Sequence, residues 1–338
     1  MGNIPQIIAF YLPQFYPFKE NDEWWGKGFT EWTNVGKAKP LFKGHNQPRV
    51  PTELGYYDLR LPEVREQQAE LAREAGVSAF CYWHYWFGNG KRLLERVFDE
   101  VLESGKPDFP FCLGWANHSW YSKEWNADGT TSNKLLMEQT YPGEEDARMH
   151  FEFLLKAFRD PRYVKIDGKP LFYVFRPKDL PTRYVELFKK WTIEAGFPGL
   201  FLVAQLSPDD VKEKMGKLGY DAFVTQRVAG SMKRQSFKGQ HRIQNLFQKI
   251  KGLIVNRPPY CFDYSEALPD LITDEEYDND VFPSIIPQWD HTPRSGWNGT
   301  LFVNATPEHF YHHVKDALGA IHNKPESRRV LFLKSWNE

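Results

Sequence analysis

Short apolar runs alternate along this chain with segments whose apolar positions recur at helical spacing. The first run, Gln6–Leu12, predicts a strand with IIAFY at its heart. A long aromatic loop holding Gly and Pro follows from Pro13 to Leu61. Pro62 then opens a helix at its first turn, with Val64, Gln68, Leu71 and Ala75 on one face and Gly76 after its end. The same pattern predicts strands at Val77–Tyr82, Phe109–Trp115, Pro170–Phe175, Leu200–Gln205, Asp221–Thr225, Phe282–Pro287 and Val330–Ser335. It predicts helices over Lys91–Ser104, Glu144–Phe158, the stretch around Tyr184, Leu187, Phe188 and Trp191, a short segment from Pro208, and Thr306–Ile321, where Thr306 is placed to cap. A second long loop joins the third strand to Pro142. Strict alternation argues for parallel pairing, and eight is the closure number of a (β/α)8 TIM barrel. A doubly wound open sheet would call for a Gly-rich turn after the first strand, where this chain has LPQFYP.

The expected organisation is one α/β barrel domain over residues 1–338, with an insertion at about 228–280. That insertion begins basic and ends acidic, and Ile243, Leu246, Phe247 and Ile250 suggest a helix inside it that packs over the barrel. The last barrel helix would lie beyond Glu338, so the chain reads as part of a longer protein.

Each predicted strand changes character at its C-terminal end. Tyr11 and Gln14 follow from strand one, His84 and Trp86 from strand two, and Trp115, Asn117 and Trp120 from strand three. Arg176, Gln226, Trp289 with Asp290, and Asn337 with Glu338 follow from strands four, six, seven and eight. Any one loop is polar somewhere. Aromatic and hydrogen-bonding residues interleaved at most strand ends instead mark the rim where barrel sites lie.

Composition narrows the chemistry. The chain has 26 Phe, 16 Tyr and 12 Trp, and Trp and Tyr suit pockets where a flat apolar face meets polar groups. A net charge of -1 argues against nucleic acid as a partner. Cys81, Cys112 and Cys261 show neither disulfide nor metal spacing. The N-terminus lacks signal-peptide character and no run reaches the roughly 20 apolar residues of a membrane span, so a cytoplasmic protein is expected. His84 and His118 have no neighbours at metal-ligand spacing, no G-x-S-x-G or phosphate-cradling motif occurs, and no cofactor is expected. Carboxylates remain: Glu31, Glu124, Glu138, Asp290 and Glu338. Carboxylates among aromatic side chains are what glycoside chemistry needs, with a poly- or oligosaccharide as partner.

The block Asn21-Asp22-Glu23-Trp24-Trp25-Gly26-Lys27-Gly28-Phe29-Thr30-Glu31-Trp32 resembles the opening signature of WbsX-like proteins, relatives of the family 99 glycoside hydrolases. Gln47-Pro48-Arg49, Leu54-Gly55-Tyr56-Tyr57-Asp58, Phe80 through Phe87, Trp115-Ala116-Asn117, Gln288-Trp289-Asp290 with Arg294, and Trp336-Asn337-Glu338 follow in order. The resemblance implies a (β/α)8 barrel and a bacterial role in surface polysaccharides such as O-antigen or capsule. It adds Trp32 and Arg294 to the expected substrate-binding residues. It also implies a retaining, endo-acting hydrolase with two glutamates three apart after strand eight. The first, matched by Glu338, would deprotonate the sugar 2-hydroxyl for attack on the anomeric carbon. The second, the acid, would fall past the last residue of this sequence. WbsX-like proteins are commonly labelled glycosyltransferases, and Asp278-Asn279-Asp280 has the spacing of a transferase's metal-binding carboxylates. A sugar-binding barrel that has lost its acid is the third alternative.

Overall fold

The structure is a computed structural model that describes residues 5–125, 131–207, 210–225, 227–235, 249–250, 253–254, 258 and 260–337. Its centre is a ring of parallel strands: β1 (Gln6–Tyr11), β2 (Ala79–Trp86), β3 (Phe111–Trp115), β4 (Lys169–Val174), β5 (Phe201–Leu206), β6 (Ala222–Thr225), β7 (two pieces, Val281–Phe282 and Ser284–Ile285) and β8 (Val330–Leu333). Each pairs with the next, and β8 pairs with β1. The predicted seventh strand is thus shorter and split. Its first piece pairs with β6 and its second with β8. Pro283, which has no N–H for the ladder, lies between the pieces where the strand changes neighbours.

Around the ring lie α1 (Lys19–Trp25), α2 (Glu31–Lys37), α3 (Pro62–Glu74), α4 (Glu95–Ser104), α5 (Glu144–Phe158), α6 (Thr182–Glu194), α7 (Lys212–Lys217), α8 (Arg227–Gln235), α9 (Tyr264–Leu271), α10 (Thr292–Ser295) and α11 (Pro307–Ile321). α5 shows why the periodicity was readable. Ala147, Phe151, Leu154 and Phe158 are all buried on one stripe, and Glu144, Glu145 and Asp146 occupy the first turn, where the helix dipole favours them. Each buried Phe of that stripe contributes about 1.5–3 kcal/mol. α11 starts as expected, with Thr306 Oγ1 accepting from His309 N at 3.2 Å.

Four differences from expectation matter for the site. β2 continues to Trp86 because Trp83 and His84 stay in register with Gly114 and Trp115 of β3. α4 begins only at Glu95, since Arg92 and Leu93 pair antiparallel with Trp86 and Tyr85. The first long loop contains α1 and α2, and the second contains an antiparallel hairpin, Trp120–Trp125 with Thr131–Met137. Within and beyond the insertion, Cys261–Asp263 pairs with Leu301–Val303 and buries Phe262, Tyr264, Leu271 and Phe302 beside the ring. The helix expected around Ile243 lies mostly outside the described residues, as does Pro208.

Side-chain alternation along the strands sorts the barrel. On β2, Trp83 faces inward, stacked on Phe10 at 4.8 Å, while Tyr82 and His84 face outward onto Phe98 of α4 and His150 of α5.

Candidate functional site

The inward residues and the loops above them enclose a cleft of two chambers, about 440 and 370 Å³. Leu12, Glu31, Trp289, Arg294, Lys334 and Ser335 line both, so the chambers meet where β1 and β8 end.

The larger chamber, the polar one by its side chains, holds Asn34, Gln47, Arg49, Asp290 and Asn337 beside Phe15, Trp32 and Tyr57. Glu31 is the first residue of α2, held there by the Thr30 capping box. Its Oε2 accepts from Arg294 Nη2 at 3.0 Å, Arg294 Nε at 3.1 Å and Asn34 Nδ2 at 3.3 Å. This fork joins α2 to α10 across the cleft. Asp290 accepts from Gln47 Nε2 at 2.7 Å, Thr292 Oγ1 at 2.6 Å and Thr292 N at 2.9 Å, and His45 Nε2 lies 3.0 Å from it. Burial opposes ionisation of Asp290, but the hydrogen bonds from Thr292, His45 and Gln47 outweigh it and hold the carboxyl below the usual carboxylate range. Trp32 donates Nε1–H to Tyr57 O at 2.8 Å and presents its ring to this chamber. Asn337 accepts from Leu12 N at 2.8 Å and donates to Leu12 O at 3.0 Å, tying the end of β8 to the end of β1.

The smaller chamber is aromatic. Phe10, Trp83, Tyr85, Trp120 and Phe175 wall it, with Gln14, His118 and Gln205 among them. Burial, with Arg176 nearby, pushes the His118 imidazole down to about 4, so it is neutral at physiological pH. His118 Nδ1 is buried without a partner among the described residues. Tyr173 donates to Gln205 Oε1 at 2.6 Å, which fixes the Gln205 amide at the chamber floor.

The structure therefore brings Gln14, Glu31, Trp32, Trp120, Trp289, Asp290, Arg294 and Asn337 to the cleft. It does not bring Tyr11, His84, Trp86 or Trp115 there, because these sit on the outward parity of their strands. Tyr11 donates to Gln68 of α3, and burial raises its phenol well above the ordinary value. His84 and His150 lie Nε2 to Nε2 at 2.8 Å, fully enclosed. Trp86 Nε1 donates to Asp146 of α5 at 3.0 Å, and Trp115 Nε1 donates to Trp86 O at 3.1 Å. Asn117 is also a structural residue. It accepts from Arg176 N at 2.7 Å and donates to Arg176 O at 2.9 Å, stapling the ends of β3 and β4. The Arg176 guanidinium lies over Phe175, 5.4 Å from the ring centre, outside the cleft lining. Gln226, Glu338 and the Glu124 side chain lie outside the described residues. Glu138 is exposed beyond the hairpin. Asp278 and Asp280 both accept from Lys212 Nζ, at 2.5 and 3.0 Å, and neither lines the cleft.

Trp83, Tyr85, His118 and Gln205, which stand at predicted strand ends, and Arg49, in the family signature, line the cleft although they were not among the expected substrate-binding residues, and so does Lys334. Strand alternation groups Trp83 with Tyr85 on one face of the sheet, opposite His84 and Trp86, but leaves open which face is inward.

The family model described as Glycosyltransferase WbsX matches residues 7–338. The uncharacterized protein WxcX of Xanthomonas campestris pv. campestris strain B100 is 33% identical over 337 residues, 98% of this chain and 46% of WxcX. WxcX of strain ATCC 33913 matches with the same identity and coverage. The chain thus spans about half the length of the curated relatives it matches. Among solved structures, the GH99 endo-alpha-mannosidase from Bacteroides thetaiotaomicron aligns at a TM-score of 0.54 and 14% identity, over 98% of this chain and 85% of that one. A glycoside hydrolase-like protein aligns at 0.55 and 13%, over 100% and 85%. At such identities these structures speak for the barrel fold alone. No helix among the described residues is long and apolar enough to cross a membrane.

Proposed function

The chain belongs to the carbohydrate-active WbsX glycosyltransferase family, and from that premise we propose that it is the catalytic barrel of an enzyme acting on a bacterial surface polysaccharide. The reaction proposed is retaining, endo-type glycoside cleavage. The observation that carries this reading is the double chamber. An enzyme that cleaves within a chain needs a cleft that runs on past the bond in both directions, and two joined chambers, each within the roughly 300–1,000 Å³ usual for ligand sites, leave room for that. Aromatic faces in one chamber suit sugar C–H faces, and the charged and amide groups of the other suit hydroxyls.

Position 338 directly follows Asn337, which lines the polar chamber. In the proposed reaction the Glu338 carboxylate takes the proton of the sugar 2-hydroxyl. That oxygen attacks the anomeric carbon and the glycosidic C–O bond breaks. The second glutamate that the family resemblance implies, three positions on from Glu338, gives the leaving oxygen its proton. Water then opens the anhydro sugar with the stereochemistry retained.

Glu338→Gln in the full-length protein is expected to abolish cleavage of the cognate polysaccharide while leaving glycan binding intact. Unchanged turnover would overturn the assignment. Calorimetry with nucleotide sugars and Mn²⁺ separates the transferase alternative: tight binding would favour transfer over hydrolysis. The engagement of Asp278 and Asp280 by Lys212 speaks against that triplet as the transferase metal site.

A further inference from the structure

The polar chamber is lined by more cationic than anionic side chains: Arg49, Arg294 and Lys334 against Glu31 and Asp290. Both carboxylates are engaged, Glu31 by Arg294 and Asn34, and Asp290 by Gln47, Thr292 and His45. Arg49 stands apart from this network. Its side chain is exposed at the chamber and forms no ion pair with any carboxylate among the described residues. The backbone that carries it is nonetheless anchored, because Gln47, two residues earlier, is buried and donates to Asp290 in the same wall.

A guanidinium presents donors in a planar fork that matches a carboxylate or a phosphate. A neutral sugar needs no such group, since amides such as those of Asn34 and Gln47 suit its hydroxyls and aromatic rings suit its C–H faces. Keeping an arginine unpaired at a chamber wall serves a ligand that brings its own negative charge. Beyond Glu31, Arg294 and Lys334, which line both chambers, the aromatic chamber adds no carboxylate, lysine or arginine, and its His118 is neutral; Arg49 belongs to the polar chamber alone.

We infer that Arg49 is a specificity residue that selects glycans bearing an anionic substituent, a carboxylate or a phosphate, in the polar chamber beside a neutral sugar in the aromatic one. This rests on the reading that the cleft takes a glycan.

The test measures binding of the full-length protein by calorimetry to three probes: uronic-acid-containing oligosaccharides, the same oligosaccharides after carboxyl reduction, and phosphorylated oligosaccharides. The expected result is tighter binding of an anionic probe than of its neutral twin, by roughly tenfold, falling as salt rises. Which anionic probe wins distinguishes carboxylate from phosphate. Arg49→Gln removes the preference and Arg49→Lys, which keeps charge but not the fork, retains part of it. Arg49 is exposed, so both variants are expected to fold. Equal binding of charged and neutral probes, unaffected by Arg49→Gln, would overturn this inference and leave the glycan reading standing. Failure of every probe to bind would overturn both.

Discussion

The aromatic chamber takes Phe10, Trp83, Tyr85, Phe175 and Gln205 from the strands or their immediate ends, whereas the polar chamber takes Glu31, Gln47, Arg49, Asp290 and Arg294 from helix starts and loops. Different forces therefore hold the two walls. Trp83 is fixed by ring contacts with Phe10, Tyr173 and Phe175, at 4.8–5.8 Å between centres, within the packed barrel. Glu31 and Asp290 are fixed by hydrogen bonds that cross between segments far apart in sequence, Glu31 to Arg294 and Asp290 to Gln47. A wall made of core residues tolerates little change in shape, while a wall made of loop residues can change its charge without unsettling the barrel. Substrate identity is more readily written in the second kind of wall.

The strongest way to break this contrast is at the fork between α2 and α10. Arg294→Met removes the partner of a carboxylate whose side chain is only 11% exposed. Turnover, as kcat/KM, is expected to fall about 10–100-fold, the range for losing charged hydrogen bonds. Adding Glu31→Gln should recover thermal stability but not turnover, because no uncompensated charge then remains. Recovery of both would show that the fork is only structural.

Trp120→Ala addresses the other wall. Trp120 is half-buried against Trp24, Tyr85 and Phe87. Affinity for a neutral oligosaccharide is expected to drop several-fold, about the 0.5–1.5 kcal/mol of an aromatic face, with the preference for anionic probes untouched. A change in that preference would mean that the chambers do not divide the work by charge.

Acid stability probes the layer behind the cleft. Burial, followed by the Arg92 guanidinium, holds His84 neutral far below 6.5; burial, His84 and Arg92 do the same for His150. The unfolded chain binds protons near pH 6.5 that the folded one refuses, so stability is full above that pH and is lost as pH falls below it. Melting temperature should decline from pH 7 to pH 5, at up to about 1.4 kcal/mol per histidine per pH unit. The His84→Phe/His150→Phe double variant should lessen that decline, leaving the part due to His118 and His313, without altering glycan affinity. The smallest effect is expected for Tyr11→Phe, which removes the bond to Gln68 at a cost of about 1 kcal/mol and leaves turnover unchanged. A large loss of activity there would place Tyr11 in the site after all.

The barrel was legible because its signals are local. Apolar runs, the Thr306 cap with Pro307 and the α5 stripe each depend on a dozen neighbouring residues, and all appear where expected. The split β7, the late start of α4 and the helices and hairpin in the long loops were not legible. They depend on which distant backbone is available to pair: Arg92 is strand rather than helix only because Trp86 lies beside it.

The site divides in the same way. That the rim would be aromatic and polar follows from residue types at strand ends, and the sequence alone determined this, together with the family signature from Asn21 to Trp32. It could not assign parity. Tyr82, Trp83, His84, Tyr85 and Trp86 are equally suited to a pocket by composition, yet successive side chains on a strand face opposite sides of the sheet. Only the closed ring decided that Trp83 and Tyr85 meet the cleft while His84 and Trp86 meet α5. The pairing of Glu31 with Arg294, and of Gln47 with Asp290, likewise exists only once the ring brings β1 beside β8. Local chemistry chooses the kinds of residue at the rim, but which of them face one another is a property of closure.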